Sequence, residues 1–199
     1  MRTVFFDVDT QIDFMFPAGA LAVPGAAFII ENLAALTRFG ASHAVQIIST
    51  ADAHGEDDPE FKSWKPHCVV DTAGQQKIAA TSLSKPMTLS SVEGALDSIA
   101  DQAGAGGQII IEKQKLDCFS NPNLRLLLDL LQADRFVVYG VASELCVRHA
   151  ALGLLQTGAK VEVVKDAIKP IDDEKEREFL AQFQAHGGLL TTTAAATTS

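Results

Sequence analysis

The chain has 199 residues, 47% hydrophobic and 21% charged, enough to bury one sizeable core and in keeping with a single domain spanning residues 1–199. Its formal net charge of −9 speaks against a nucleic-acid partner, since neutralising a phosphate backbone takes a clustered excess of Lys and Arg. No apolar run is long enough to span a bilayer, and the N-terminus runs into a strand-like segment, not a basic, apolar leader with a cleavage site; the expectation is a cytoplasmic protein, off the membrane, acting on a small molecule.

In chain order, residues 3–8 form a first predicted strand ending at Asp9. Residues 26–39 space Phe28, Ile29, Leu33, Leu36 and Phe39 at helical intervals, with Gly40 as the expected stop. Residues 44–49 form the second strand. The segment 51–90 then breaks the rhythm: it is polar, carries Pro59, Pro66 and Pro86, and contains a Trp and two His, which favours a functional loop. Strands follow at 108–112 and 136–139, with a Leu-rich helix at 123–131 between them. A helix at 144–157, a strand at 160–164, an acidic amphipathic helix at 172–185 and an edge strand at 188–192 complete the series. The Thr/Ala-rich tail, 191–199, is expected to fray.

Short Val-, Ile- and Phe-rich runs alternating with amphipathic stretches describe strands buried on both faces and joined by crossover helices. The predicted fold class is therefore α/β, a three-layer α/β/α domain with a mostly parallel central sheet. Ligands of such sheets sit beyond the carboxyl ends of the strands. Four strand ends carry ionisable or nucleophilic groups: Asp9 and Asp13, Asp52 and His54, Lys113, and the turn from Gly140 to Cys146.

The three cysteines, Cys68, Cys118 and Cys146, are an odd number without CxxC spacing, which fits free thiols better than disulfides or a four-thiolate zinc site. Cys146 falls in the first turn of a helix, where free N–H groups and the helix dipole lower a thiol pKa and can also hold an oxyanion. By spacing alone, a cysteine packed under that helix is equally compatible. No His lies at a suitable strand end on this side; His149 shares the helix with Cys146 and reads as an ordinary helix residue. The remaining helpers are Asp9, a carboxylate able to accept the thiol proton, and Lys113, an ammonium able to stabilise charge, with Lys115 as its rival. Taken singly, such an Asp is more often a turn or cap residue and such a Lys a solvated one.

Together these segments resemble the isochorismatase-like cysteine hydrolases, especially their nicotinamidase branch. Asp9-Thr10-Gln11-Ile12-Asp13-Phe14 is similar to that family's D-x-Q-x-D-F start and is followed by a matching stretch from Gly19 to Gly25. Lys113 to Phe119 resembles its lysine segment, and Gly140-Val141-Ala142-Ser143-Glu144-Leu145-Cys146-Val147 its nucleophile segment. The blocks stand in family order across nearly the whole chain. The resemblance implies Asp9 as general base, Lys113 as positioning cation and Cys146 as the nucleophile that forms a thioester. It implies a cis peptide at Val141-Ala142, with the Ala142 and Cys146 N–H groups as oxyanion hole, and Phe14, Trp64 and Val141 as substrate-binding residues. It also implies a chain that self-associates, although no interface is legible.

Asp52-Ala53-His54 with His67 offers one carboxylate and two imidazoles, a set suited to a divalent metal such as zinc, manganese or iron. D-x-H by itself is a weak signal; nicotinamidases carry it together with a W-x-x-H-C-V segment, here Trp64 to Val69, whose His completes a metal site holding the pyridine nitrogen. Some members place another His between the two, where this chain reads Asp57-Asp58-Pro59-Glu60-Phe61, leaving Glu60 or solvent for that position. Asp71-Thr72 and Lys65 are further departures, and they bear on the substrate. Nicotinamide is the leading expectation; the alternatives are another small amide, a ureido or maleamate-type compound, a vinyl ether such as isochorismate, or a non-catalytic binding protein, against which the intact Asp9, Lys113 and Cys146 speak.

Overall fold

A computed structural model describes residues 1–92 and 106–198. Among the described residues seven strands form one sheet: β1 (Thr3–Val8), β2 (Gln46–Asp52), β3 (Met87–Leu89), β4 (Gly107–Lys113), β5 (Arg135–Val141), β6 (Lys160–Lys169) and β7 (Leu189–Thr191). Their order is β3-β4-β2-β1-β5-β6-β7, and every pairing is parallel. The chain leaves β1 toward β2 on one side and leaves β5 toward β6 on the other. The carboxyl ends of β1 and β5 are therefore a topological switch point, where an open α/β sheet forms its crevice.

Alternation along the strands feeds two cores. Val4, Phe6 and Val8 of β1 pack on one face with Leu124, Leu127 and Leu131 of helix α3 (Pro122–Leu131), Ala150 and Leu154 of α4 (Arg148–Leu155), and Phe179 and Phe183 of α5 (Asp173–Ala185). Here the helix numbering starts with α1 (Ile12–Met15) and α2 (Ile30–Ser42), and ends with α6 (Thr193–Ala196). Phe5 faces the other way, toward Ile29, Leu33 and Leu36 at the start and along the inner face of α2, with Ile47, Val137 and Tyr139 from neighbouring strands. This is a three-layer α/β/α architecture with an all-parallel sheet. No helix among the described residues is long and apolar enough to cross a membrane.

Local chemistry explains the helix starts. Asn121 caps α3 by accepting the Asn123 N–H, with Pro122 supplying the first helical residue. Asp172 caps α5 by accepting from Glu174 and Lys175. The expected stop at Gly40 is corrected: α2 runs through it to Ser42, and a Cβ at this position would meet the end of the Ile47 side chain at 2.9 Å, which that side chain would have to shift to admit. The short edge strand β3 lies inside the stretch read as loop, paired with β4. The expected frayed tail is also corrected. β7 pairs with β6, and Thr193 gives both its N–H and its hydroxyl to Asp166 Oδ1, at 2.8 and 3.0 Å. Low complexity concealed this, because Ala196 is small enough to bury in the core and Thr192 is a competent helix cap. Ser199 lies outside the described residues.

Candidate active site

β1 delivers Asp9 one residue past its end, in the left-handed region at φ +50°, an uncommon conformation for a non-glycine residue. Its Oδ1 accepts from Thr50 Oγ1 at 2.6 Å. Asp52 and Lys113 are the last residues of β2 and β4 and stand opposite each other in register. The Lys113 ammonium lies 2.9 Å from Asp9 Oδ2, 3.6 Å from Cys146 Sγ and in direct contact with Asp52 Oδ1. It is 1% exposed, a location open to a lysine only when it is paired. Lys115, by contrast, is exposed at the surface.

Cys146 sits in a widened π turn, Ser143–Val147, that precedes α4. The Ala142 carbonyl accepts from both Leu145 and Val147, each at 3.2 Å, so the turn spans five residues instead of four. The Val141–Ala142 peptide is cis. Just before the turn, Gly140 has φ +121°, and a Cβ there would stand 2.0 Å from the Val8 carbonyl oxygen, so β5 can approach β1 this closely only with glycine. The register pairs Val8 with Gly140, which brings the Asp9 and Cys146 segments out side by side.

Electrostatics in this cluster depart from the sequence expectation at one point. Burial pushes the Cys146 thiol well above its ordinary pKa; Lys113 opposes this, while Asp9 and Asp52 push the same way. The helix N-terminus was expected to favour thiolate, but the sulfur is enclosed beside two carboxylates and a single ammonium, and another negative charge there is unfavourable. Burial and the two carboxylates thus push this sulfur toward the neutral thiol. Burial also raises Asp9, against the pull of Lys113. Its Oδ2, although ion-paired at 2.9 Å, has no aligned hydrogen-bond donor among the described residues, so this oxygen is able to take a proton. Burial alone would lower Lys113, but Asp52 and Asp9 outweigh it and hold the ammonium charged.

Above the cluster opens a pocket enclosing about 370 Å³ of empty space, part of it open to solvent. Asp9 and Cys146 lie among its lining residues, Phe14, Trp64 and Val141 line it as the resemblance implied, and Leu21, Leu116 and Ile171 add apolar walls that the sequence reading did not single out. The Phe14 ring stands 5.3 Å from that of His67, centroid to centroid. His149 belongs elsewhere, lining a surface groove with Asp117 and Arg125.

Asp52, His54 and His67 are all buried, with ligand atoms within 4.8 Å of one another. Asp52 Oδ2 lies 3.8 Å from His54 Nε2 and 3.7 Å from His67 Nε2, too far for hydrogen bonds. His54 Nε2 is buried without a hydrogen-bond partner among the described residues. The far nitrogens are both engaged: His54 Nδ1 donates to Asp58 Oδ2 at 3.0 Å and His67 Nδ1 to the Lys65 carbonyl at 2.7 Å. That arrangement turns both Nε2 lone pairs inward, as outer partners do for metal-bound imidazoles. The residues thus fit a divalent cation. Glu60 lines the same pocket but stays outside the three-residue cluster. Asp58 was missed in the sequence reading. An Asp followed by Pro at a helical start, four residues after His54, is the signal that could have revealed it.

A family model, the isochorismatase domain, matches residues 3–195. The chain belongs to the isochorismatase family and is a hydrolase of that class. Among its relatives, the nicotinamidase of Saccharomyces cerevisiae is 24% identical over 88% of this chain and 91% of its own length. The pyrazinamidase of Pyrococcus horikoshii, solved in complex with zinc, superposes with a TM-score of 0.77 at 27% identity, covering 96% of this chain and 99% of that one. An N-carbamoylsarcosine amidase from Thermoplasma acidophilum superposes at a TM-score of 0.75 and 23% identity over 97% of both chains, a likeness of fold.

Proposed function

We propose that this hydrolase is a nicotinamidase, converting nicotinamide to nicotinate and ammonia through a thioester on Cys146. The observation that carries the reading is the meeting of Asp9, Lys113 and Cys146 at one buried ammonium, under a pocket that Asp52 and His67 also reach. Asp9 Oδ2 takes the proton of the neutral thiol as Sγ attacks the carboxamide carbon. The N–H groups of Ala142 and Cys146 hold the oxyanion. Asp9 returns the proton to the departing nitrogen, ammonia leaves, and water deprotonated by Asp9 cleaves the thioester. Lys113 stays charged throughout and keeps the two carboxylates and the sulfur in place. Asp52, His54 and His67 would hold a divalent metal, zinc being suited to this donor set, which supplies a Lewis acid for the pyridine nitrogen. Phe14 and Trp64 flank the ring.

The lining of the pocket favours a neutral amide over the anionic alternatives. No Lys or Arg is among the described residues lining it, and the Lys113 ammonium behind it is already engaged by Asp9 and Asp52, so the carboxylate of a maleamate, a ureido acid or isochorismate would find no side chain free to pair with it. Ammonia release from a panel of neutral and anionic amides tests this directly. Nicotinamide should be turned over, and Cys146→Ala should lose about 10⁴-fold or more while remaining folded. Turnover of an anionic amide in preference to nicotinamide would reject the substrate assignment, and an active Cys146→Ala would reject the nucleophile.

A further inference from the structure

Glu144 lies between the cis peptide and the nucleophile, two residues before Cys146. It is a carboxylate 7% exposed, and among the described residues no Lys, Arg or His forms an ion pair with it. A buried carboxylate of this kind needs strong donors. Two backbone amides supply them: Glu144 Oε1 accepts from Ile171 N at 3.0 Å and Asp172 N at 2.9 Å, and Oε2 lies 3.3 Å from Ile171 N. These donors belong to the short connection between β6 and α5. The first turn of α5 is already capped by Asp172, whose side chain accepts from Glu174 and Lys175, so Glu144 is not needed as that helix's cap. What it fixes is the segment just ahead of the helix. A second tie runs in parallel, from Ser143 Oγ to Glu176 Oε1 on α5 at 2.7 Å.

Ile171 gives this connection a purpose. Its side chain lines the active-site pocket yet is 41% exposed. Exposed apolar side chains on short connections are not held by core packing. We propose that Glu144 is a positioning residue for substrate binding, fixing Ile171 as one wall of the pocket, so that the turn carrying the nucleophile also sets the place of the substrate it attacks. This rests on the reading of the pocket as the site of a small amide. Ile171 touches the substrate and Glu144 acts through it.

The test is a double-mutant cycle with steady-state kinetics on nicotinamide, joined to amide hydrogen exchange on the free protein. Ile171→Ala and Glu144→Ala should each raise KM about 5–10-fold with kcat within about twofold, and the double variant should be no worse than Ile171→Ala alone. Glu144→Gln, which retains an acceptor oxygen, should restore most of the affinity. The Ile171 and Asp172 amides should exchange about 10-fold faster in Glu144→Ala than in the wild type. Multiplying KM effects, or an unchanged exchange rate, would overturn the proposal. If Glu144→Ala fails to fold, the cycle is run with Glu144→Gln, whose smaller KM effect must likewise vanish in the Ile171→Ala background. A wild type inactive on nicotinamide would reject the functional reading; the cycle would then be run on whichever panel amide is hydrolysed, with the same outcomes deciding the role of Glu144.

Discussion

Gln11 and Asp52 are joined in both directions: the Asp52 N–H donates to Gln11 Oε1 at 2.8 Å, and Gln11 Nε2 donates to the Asp52 carbonyl at 2.8 Å. The side chain acts as an extra rung at the end of β2, where the sheet would otherwise leave polar backbone groups exposed to the pocket. The same Nε2 reaches the Gln75 carbonyl at 2.7 Å, drawing the long loop onto the site.

Replacing Gln11 by Ala removes all three bonds at a position that is fully buried. The expected loss of stability is about 2–4 kcal/mol, since unpaired buried groups forfeit their desolvation. Gln11→Glu can still accept but cannot donate as a carboxylate, and should fall at or below the alanine variant. Urea titration measures both. A Gln11→Ala midpoint equal to the wild type would show that the pairing does not hold the strand end.

Asp9→Asn and Lys113→Met separate proton transfer from charge balance. Asparagine keeps the shape of Asp9, so that variant should stay folded while kcat falls about 10²–10⁴-fold. Lys113→Met instead strands Asp9 and Asp52 together in a buried space, and should cost about 3–5 kcal/mol of stability as well as turnover. Equal stabilities for the two variants would contradict the role given to the ammonium.

Metal removal should be visible without any substrate. After dialysis against a chelator, added zinc at about 100 times its Kd should raise stability by about 2.7 kcal/mol, which scanning calorimetry would read as a rise in Tm. His67→Ala should abolish the rise. A zinc response that survives in this variant would place the cation elsewhere.

At the opposite end of the sheet, Arg135 holds Glu162 at 2.6 Å, with Lys160 also in contact. Burial would raise the Glu162 carboxyl, but the two cations outweigh it and hold it below the ordinary range. Its folded pKa is therefore lower than its unfolded one, so the pair stabilises the protein above the unfolded value of about 4.3 and stops doing so as pH falls through the folded value. The stability gap between wild type and Glu162→Gln should be full at about pH 6 and narrow as the pH falls below the ordinary carboxylate value of about 4.3. A gap independent of pH would remove the ionic contribution.

Much of this was legible in the sequence because parallel strands announce themselves as continuous apolar runs, and their ends mark where ligands sit. Asp9, Lys113 and Cys146 could be named from strand ends and motifs together. The boundaries were less legible: β2 runs on to Asp52 because Thr50, Ala51 and Asp52 pair with β4, a tertiary fact invisible in local propensity. The direction in which the thiol is pushed depends on burial and on three charges from three distant segments, none of which the place of Cys146 at the start of a helix reveals. Glu144 and Asp58 went unnoticed because each acts through backbone amides or through a neighbour's far nitrogen, and such roles leave no pattern of residue types.

The rung pairing Val8 with Gly140 also bears on divergence. Because Asp9 follows directly on β1 and Cys146 lies in the turn that leaves β5, their separation is referenced first to the hydrogen-bond ladder between two neighbouring central strands. Drift in α2 can alter how firmly the domain holds together while leaving Asp9 and Cys146 at the same spacing. A scaffold wired in this way can lose most of its sequence identity and keep its chemistry, provided position 140 keeps a glycine.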